Sequence, residues 1–285
     1  VPRSSGSTTG SGWHDDTVSP VDAIFVPLGG GRYRPTEHSV GPWDPGSLHG
    51  GAPCALMAGA LQAAVVDADL GADFFPARFT AELTRPVPLA DLDVTTVVRR
   101  PGRRICVVDA ALSGPDGTVV ATATLQSIRV RPFERAVPRP VAPPPGPETG
   151  VPLAAETLDG PSAFHRTGTE HRGVLGTSFE APGPATDWIR LAAPLVEGRE
   201  TTPLERVVAA ADFGNGVSKL FDMDDVLFVN PDLTVLLHRL PVGEWICLDA
   251  VTHLGPDGVG LAESVLFDAE GPLGRSAQTL LVEER

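Results

Sequence analysis

His49-Gly50-Gly51-Ala52-Pro53-Cys54-Ala55-Leu56-Met57-Ala58-Gly59-Ala60-Leu61-Gln62-Ala63-Ala64-Val65-Val66 decides how the chain folds. The portion from Ala52 to Val66 is built from Ala, Leu, Met and Val and is nearly apolar on every side. A helix of that kind belongs inside a protein and needs cover in most directions. Four β-like runs follow it: Arg78 to Thr84, Asp93 to Arg100, Arg104 to Ser113 and Val119 to Val130. Gly114-Pro115-Asp116-Gly117 supplies a turn between the last two. Upstream, Ile24 to Val26 and Tyr33 to Thr36 read as short strands around Gly29-Gly30-Gly31. Short Pro/Gly turns favour antiparallel pairing over crossovers. One curved sheet wrapped around one helix satisfies this order.

The second half repeats it. Gly176 to Glu180 and Asp187 to Pro194 read as early strands. Thr202 to Ala211 reads as a helix with Thr201 or Thr202 as N-cap. Then come strand-like runs over Val226 to Arg239, Trp245 to Leu254, Val259 to Asp268 and Leu273 to Glu283. The Gly-Pro-Asp-Gly turn recurs at Gly255 to Gly258. Conserved order with weak identity is the mark of a duplicated unit. The expected class is α+β, as two antiparallel curved sheets each wrapped around a helix. Between the halves, Val137 to Pro161 holds Pro138, Pro140, Pro143, Pro144, Pro145 and Pro147, a density that disfavours regular helix or sheet. The expected division is a disordered or expression-derived tail over 1–12, a first unit over 13–136, a Pro-rich linker over 137–161 and a second unit over 162–285.

Composition narrows the function. The chain has 285 residues, a net charge of -14 and 42% hydrophobic residues. So acidic a surface argues against nucleic acid or an anionic membrane as the partner. No run is apolar and long enough to span a membrane, and the Ser/Gly/Thr-rich start lacks a signal peptide's apolar centre. Cys54, Cys106 and Cys247 are odd in number and widely spaced, which fits a reducing cytoplasm and neither a disulfide framework nor a zinc site. His165, Glu170 and His171 offer no third ligand at a standard metal spacing, so neither metal nor other cofactor is expected.

Chemistry concentrates in the second half. Ala211-Asp212-Phe213-Gly214-Asn215-Gly216, then Asn230-Pro231-Asp232-Leu233-Thr234, then Gln278, place one carboxylate and two carboxamides at the edges of three elements. Asp212 is the natural base or water-orienting group, and Asn230 and Gln278 can each accept from water or donate to it. Asp or Asn beside Gly is also common turn chemistry, and Asn230-Pro231 alone reads as a strand start or bulge. A buried Gln278 must find hydrogen-bond partners in either case. Amides near Gly214 and Gly216 are candidate oxyanion donors.

These motifs, with His49-Gly50-Gly51, His238-Arg239, Pro241 and Gly243-Glu244-Trp245, resemble the acyl-CoA thioesterase II family, TesB-like proteins of double hotdog fold. The resemblance spans residues 20–285 apart from the linker and is strongest from Ala209 to Glu283. It implies a lipid-metabolism hydrolase that converts acyl-CoA to free acid and CoA, with acyl-carrier thioesters as related substrates. The family's Asp falls on Asp212 and its Gln on Gln278. Its hydroxyl falls on Asn230, a departure; Thr234 shares that strand face and could serve instead.

Phosphate binding is expected at Arg99, Arg100, Arg103 and Arg104 around the Gly102 hairpin, or at Arg239, against the alternative of solvated tips and ion pairs. His49 reads as a structural or substrate-entrance residue and as a rival base. In the first repeat, Ala123, Thr124 and Leu125 occupy the region equivalent to Gln278, so that half reads as scaffold and as part of the substrate tunnel. Exposed sheet edges favour a homo-oligomer. The hotdog fold also hosts hydro-lyases and tailoring enzymes on CoA- or carrier-bound acyl groups. A non-hydrolytic acyl-thioester binder is the third reading.

Overall fold

The computed structural model describes residues 22–70, 73–135, 141–152, 161–176, 181–222 and 224–285. The tail expected over 1–12 lies outside them. The first half runs β1 (Phe25–Gly29), β2 (Arg32–Pro35), α1 (Gly51–Asp67), β3 (Phe74–Leu83), β4 (Leu92–Pro101), β5 (Ile105–Ser113) and β6 (Val119–Arg129). The second runs β7 (Val151–Pro152), β8 (Thr169–Leu175), β9 (Ala185–Leu191), α2 (Pro203–Ala211), the single turn α3 (Gly214–Val217), β10 (Val226–Val229), β11 (Asp232–Leu237), β12 (Ile246–Leu254), β13 (Val259–Asp268) and β14 (Gly271–Glu284).

All strands lie in one antiparallel sheet, ordered β1-β2-β4-β5-β6-β3-β11-β14-β13-β12-β9-β8-β7, with β10 also on β14. The order around β3 and β11 is a mirror: β3, β6, β5, β4, β2 and β1 correspond to β11, β14, β13, β12, β9 and β8. Each half thus repeats one topology around one principal helix, and the halves join where Thr234 pairs with Thr80. This is the double hotdog that the sequence led one to expect.

α1 is cored as its composition requires. Ala52, Cys54, Ala55, Leu56, Met57, Ala58 and Leu61 are all buried. Pro53 is tolerated because the first helical turn has no partner for its missing N–H. α2 begins with a capping box: Thr202 accepts from the Glu205 amide at 3.3 Å and Glu205 accepts from the Thr202 amide at 2.7 Å. Leu56, Phe79 and Leu125 belong to the same buried cluster as Leu204, Val235 and Leu266.

Three expectations are corrected. The strand expected at Gly176 to Glu180 does not include Gly176, which follows β8 at φ 68°, and 177–180 fall outside the described residues. The Pro-rich segment is not wholly irregular: Pro147–Thr149 form a 3-10 turn, and Val151 and Pro152 pair with Gly173 and Arg172. A two-residue edge strand needs few N–H donors, so proline permits it. Trp188 Nε1 also donates to Pro145 O at 2.8 Å, fastening the segment to the second half.

The third correction decides where Asn230 points. Val226 to Arg239 is not one strand. Val229 pairs with Leu281, and Thr234 pairs with Ala277, so β10–β11 carries one more residue than β14 between these pairs. The extra residue is absorbed at Asn230-Pro231, where Pro231 has no N–H to give the ladder. Such a bulge bends the strand and redirects a side chain.

Candidate active site

Asp212 caps the C-terminus of α2, and its carboxylate is buried. Its Oδ1 accepts from Asn230 Nδ2 at 2.8 Å and from Gln278 Nε2 at 3.0 Å. Gln278 Nε2 also reaches the Asp212 carbonyl at 3.0 Å, while its Oε1 accepts from the Asn215 amide at 3.3 Å. Two carboxamides therefore hold one carboxylate oxygen and leave the other to different contacts. Asp232 fixes this corner by accepting from the Thr279 amide at 2.9 Å, one residue past Gln278. Gly214 is closely packed here, since a Cβ there would lie 3.0 Å from Gln278 Oε1.

The second oxygen, Oδ2, faces the other half of the molecule. His49 Nδ1 lies 3.1 Å from it. The same Nδ1 is 3.1 Å from the Gly51 amide nitrogen. The Gly51 N–H donates to this nitrogen, so Nδ1 is the acceptor of that hydrogen bond and meets Oδ2 as a close contact. The two glycines explain why the helices meet here. A Cβ at Gly50 would stand 2.9 Å from Asp212 Oδ2, and one at Gly51 would stand 2.8 Å from Ala209 O. The Asp212 carboxylate thus rests against the N-terminal end of α1, whose unpaired amides and dipole favour an anion.

Aromatic rings brace this contact. His49 lies 4.5 Å from the Phe213 ring and 5.1 Å from Phe164, and His171 meets the edge of Phe213 at 4.7 Å. His171 is buried and its Nδ1 is 2.7 Å from Asp187 Oδ2.

A cavity of about 500 Å³ opens onto the site. Leu48, Leu83, Val87, Trp43, Phe213 and Phe228 form much of its wall, and His49, Gly50, Asp212, Asn215, Gly216 and Asn230 also line it. Its size and apolar character suit a small-molecule chain bound beside a few polar groups. Among the described residues no helix is long and apolar enough to cross a membrane.

The other candidates from the sequence go elsewhere. Thr234 lies between buried Leu233 and Val235, so it faces the opposite side of β11 and does not line the cavity. Gly214 packs on Gln278 rather than lining the cavity. Arg99, Arg100, Arg103 and Arg104 are exposed on the β4–β5 hairpin away from the cavity, and Arg99 pairs with Asp109 at 2.8 Å. Arg239 is spent inside the protein: it binds both carboxylate oxygens of buried Asp268 and the Gly271 and Pro272 carbonyls. Burial works to raise the Asp268 carboxyl; the hydrogen bonds from Arg239 and the Val242 and Glu270 amides outweigh it and hold it below the usual range. The metal candidates do not converge either. Glu170 binds Arg172 and Arg190, His171 faces Asp187, and His165 lines the cavity.

His165, Arg85 and Lys219 also line the cavity, and sequence reasoning did not place them there. His165 sits on a π-helical turn, Phe164–Gly168, whose wide geometry leaves no spacing signal. Burial, then the charges of His49, Arg166 and His171, pull its pKa down to about 3.

The sequence matches the acyl-CoA thioesterase C-terminal domain over residues 130–282 and the N-terminal domain over residues 39–126. The chain belongs to the acyl-CoA thioesterase family. Solved structures agree on the fold. A thioesterase II candidate from Thermobifida fusca aligns at TM-score 0.67 and 18% identity, covering 92% of this chain and 96% of its own. A thioesterase candidate from Novosphingobium aromaticivorans aligns at 0.65 and 24%, covering 90% and 98%. A hot dog fold protein of unknown function from Alicyclobacillus acidocaldarius aligns at 0.69 and 18%, covering 93% and 97%. No curated protein matches the sequence. At these identities the likeness speaks for the hotdog architecture, and the chemistry rests on this chain's own residues.

Proposed function

We propose that this member of the thioesterase family hydrolyses acyl-CoA by direct attack of water on the thioester carbonyl. The supporting observation is the division of labour at Asp212: Oδ1 is held by Asn230 and Gln278, and Oδ2 is turned toward His49 and the cavity side. A carboxylate fixed through one oxygen can use the other as a base. Water between Oδ2 and the substrate gives its proton to Asp212 as its oxygen bonds to the carbonyl carbon. The resulting oxyanion is met by amide donors; Gly50, at the start of α1 and on the cavity wall, supplies one. The tetrahedral intermediate collapses with cleavage of the C–S bond, and the proton on Asp212 passes to the departing thiolate. His49, with Nδ1 3.1 Å from Oδ2, packs beside the carboxylate and limits how it can turn. Asn230, with Nδ2 engaged, keeps its amide oxygen to accept from the water.

Release of CoA from a panel of acyl-CoA thioesters tests this. Asp212→Asn is expected to lower kcat by a factor on the order of 100 to 10,000, the usual contribution of a positioned base. Gln278→Ala and Asn230→Ala should each lower it about tenfold or more by releasing Oδ1. Undiminished turnover in Asp212→Asn would refute the assignment. Chain modification without CoA release would favour a hydro-lyase, and binding alone would favour a carrier.

A further inference from the structure

A polyanionic thiol carrier approaching a chain of net charge -14 is repelled on average, so the cations at the cavity decide where it docks. Only Arg85 and Lys219 supply them among the described lining residues, apart from the titratable histidines. Their circumstances differ. The Lys219 stem is buried and its Nζ lies 3.1 Å from Asp222. The Arg85 side chain is exposed and makes no hydrogen bond or salt bridge among the described residues.

The base of Arg85 is nevertheless fixed. The Thr84 and Arg85 amides donate to Val120 O at 3.1 and 3.2 Å, and Thr84 Oγ1 donates to the same oxygen at 3.0 Å. Pro86 further restricts the Arg85 backbone. A free guanidinium on a held backbone, at a largely apolar cavity, is a bidentate anion receptor placed in advance. Neighbouring carboxylates do not neutralise it directly. Asp44, also on the cavity wall, binds the Gly46 amide and the Ser47 hydroxyl of its own loop. Asp116, which feels the charge of Arg85, is bound by Thr118.

We propose that Arg85 anchors a phosphate of the substrate's thiol carrier, with Lys219 as the second cation of the cavity. The site then selects phosphorylated pantetheine thioesters over bare pantetheine thioesters. This rests on the thioesterase reading above and adds a specificity determinant to it. The acyl group lies against the apolar wall, the thioester meets Asp212, and the phosphate meets Arg85.

The test compares kcat/KM of the full chain for acyl-CoA and for the same acyl group on pantetheine, in wild type, Arg85→Ala and Arg85→Lys. Circular dichroism confirms that each variant is folded. Arg85→Ala is expected to shrink the preference for acyl-CoA about tenfold, mainly through KM, and Arg85→Lys to recover part of it, since one partly exposed charge-assisted bond is lost. A ratio unchanged in Arg85→Ala would overturn the proposal. Acyl-phosphopantetheine separates the sources: an equal Arg85 effect assigns the phosphate shared by CoA and carrier proteins, and an effect confined to acyl-CoA assigns its nucleotide phosphates. Should wild type hydrolyse neither thioester, the thioesterase reading falls by itself. Calorimetric titration then decides this inference: CoA binding weakened about tenfold in Arg85→Ala upholds it, and absence of CoA binding by wild type overturns it.

Discussion

At Asn230 a carboxamide stands where the family resemblance expects a hydroxyl, and the geometry shows what the exchange preserves. Nδ2 donates to Asp212 Oδ1 at 2.8 Å, as a hydroxyl would. The amide keeps an acceptor besides, so the carboxylate loses no donor. The meeting of Asp212 and Gln278 was legible from order within the repeat. The direction of the Asn230 donor was not, because it depends on a bulge that sequence does not announce. His165 was hidden for a related reason: only tertiary structure carries it to the cavity. Its neutral state has a measurable consequence. An unfolded histidine titrates near 6.5, whereas folded His165 titrates at about 3 under burial and the charges of His49, Arg166 and His171. Between these values the unfolded chain takes up a proton that the folded chain refuses. The native state therefore has its full stability above pH 6.5 and loses it as pH falls toward 3. His165→Gln removes this contribution. Melting curves at pH 7.5 and pH 5 should show a smaller loss of Tm in the variant than in wild type, and equal losses would refute the account.

Elements place these residues by close approach. α1 was legible because a helix apolar all round must be covered by the rest of the fold. The need for two glycines at its start was quoted in the sequence but not explained by it. The explanation is that the first turn of α1 meets the last turn of α2, with Gly51 against Ala209 O and Phe164 and Gly50 against Asp212. A methyl group at Gly51 would meet Ala209 O at 2.8 Å, the Phe164 ring at 3.1 Å and Asp212 Cβ at 3.3 Å. Backbone and buried ring cannot yield cheaply. Gly51→Ala is thus expected to cost about 2 kcal/mol in denaturant unfolding, within the usual range for overpacking. It should also lower kcat more than KM, because the shift falls on the contact between His49 and Asp212. Stability within about 0.5 kcal/mol of wild type would show that the helices have room to separate. Strand boundaries were less legible where one residue changes the register, as at Asn230-Pro231, since alternation continues in sequence on both sides of a bulge.

In the whole molecule, duplication was readable as a recurring order of elements and His49 as a substrate-entrance residue, but the contact of the first half with the second half's carboxylate was not. The second half supplies Asp212, Asn230 and Gln278; the first supplies His49, Gly50 and the Leu83 wall. The seam carries more than a boundary between domains carries. β3 pairs with β11 in the middle of one continuous sheet, and a single buried cluster runs from Ile24 to Leu273 through both helices. Independent domains usually meet through smaller and more polar surfaces and can unfold separately. Here neither helix can be uncovered without exposing apolar surface on the other. The chain should therefore unfold in one transition. Calorimetry is expected to give a single peak whose van't Hoff and calorimetric enthalpies agree, with catalytic activity lost over the same temperature range. Two resolved peaks, with activity vanishing at the first, would mean that the halves are stable separately. The seam would then be a contact between finished domains rather than part of one core.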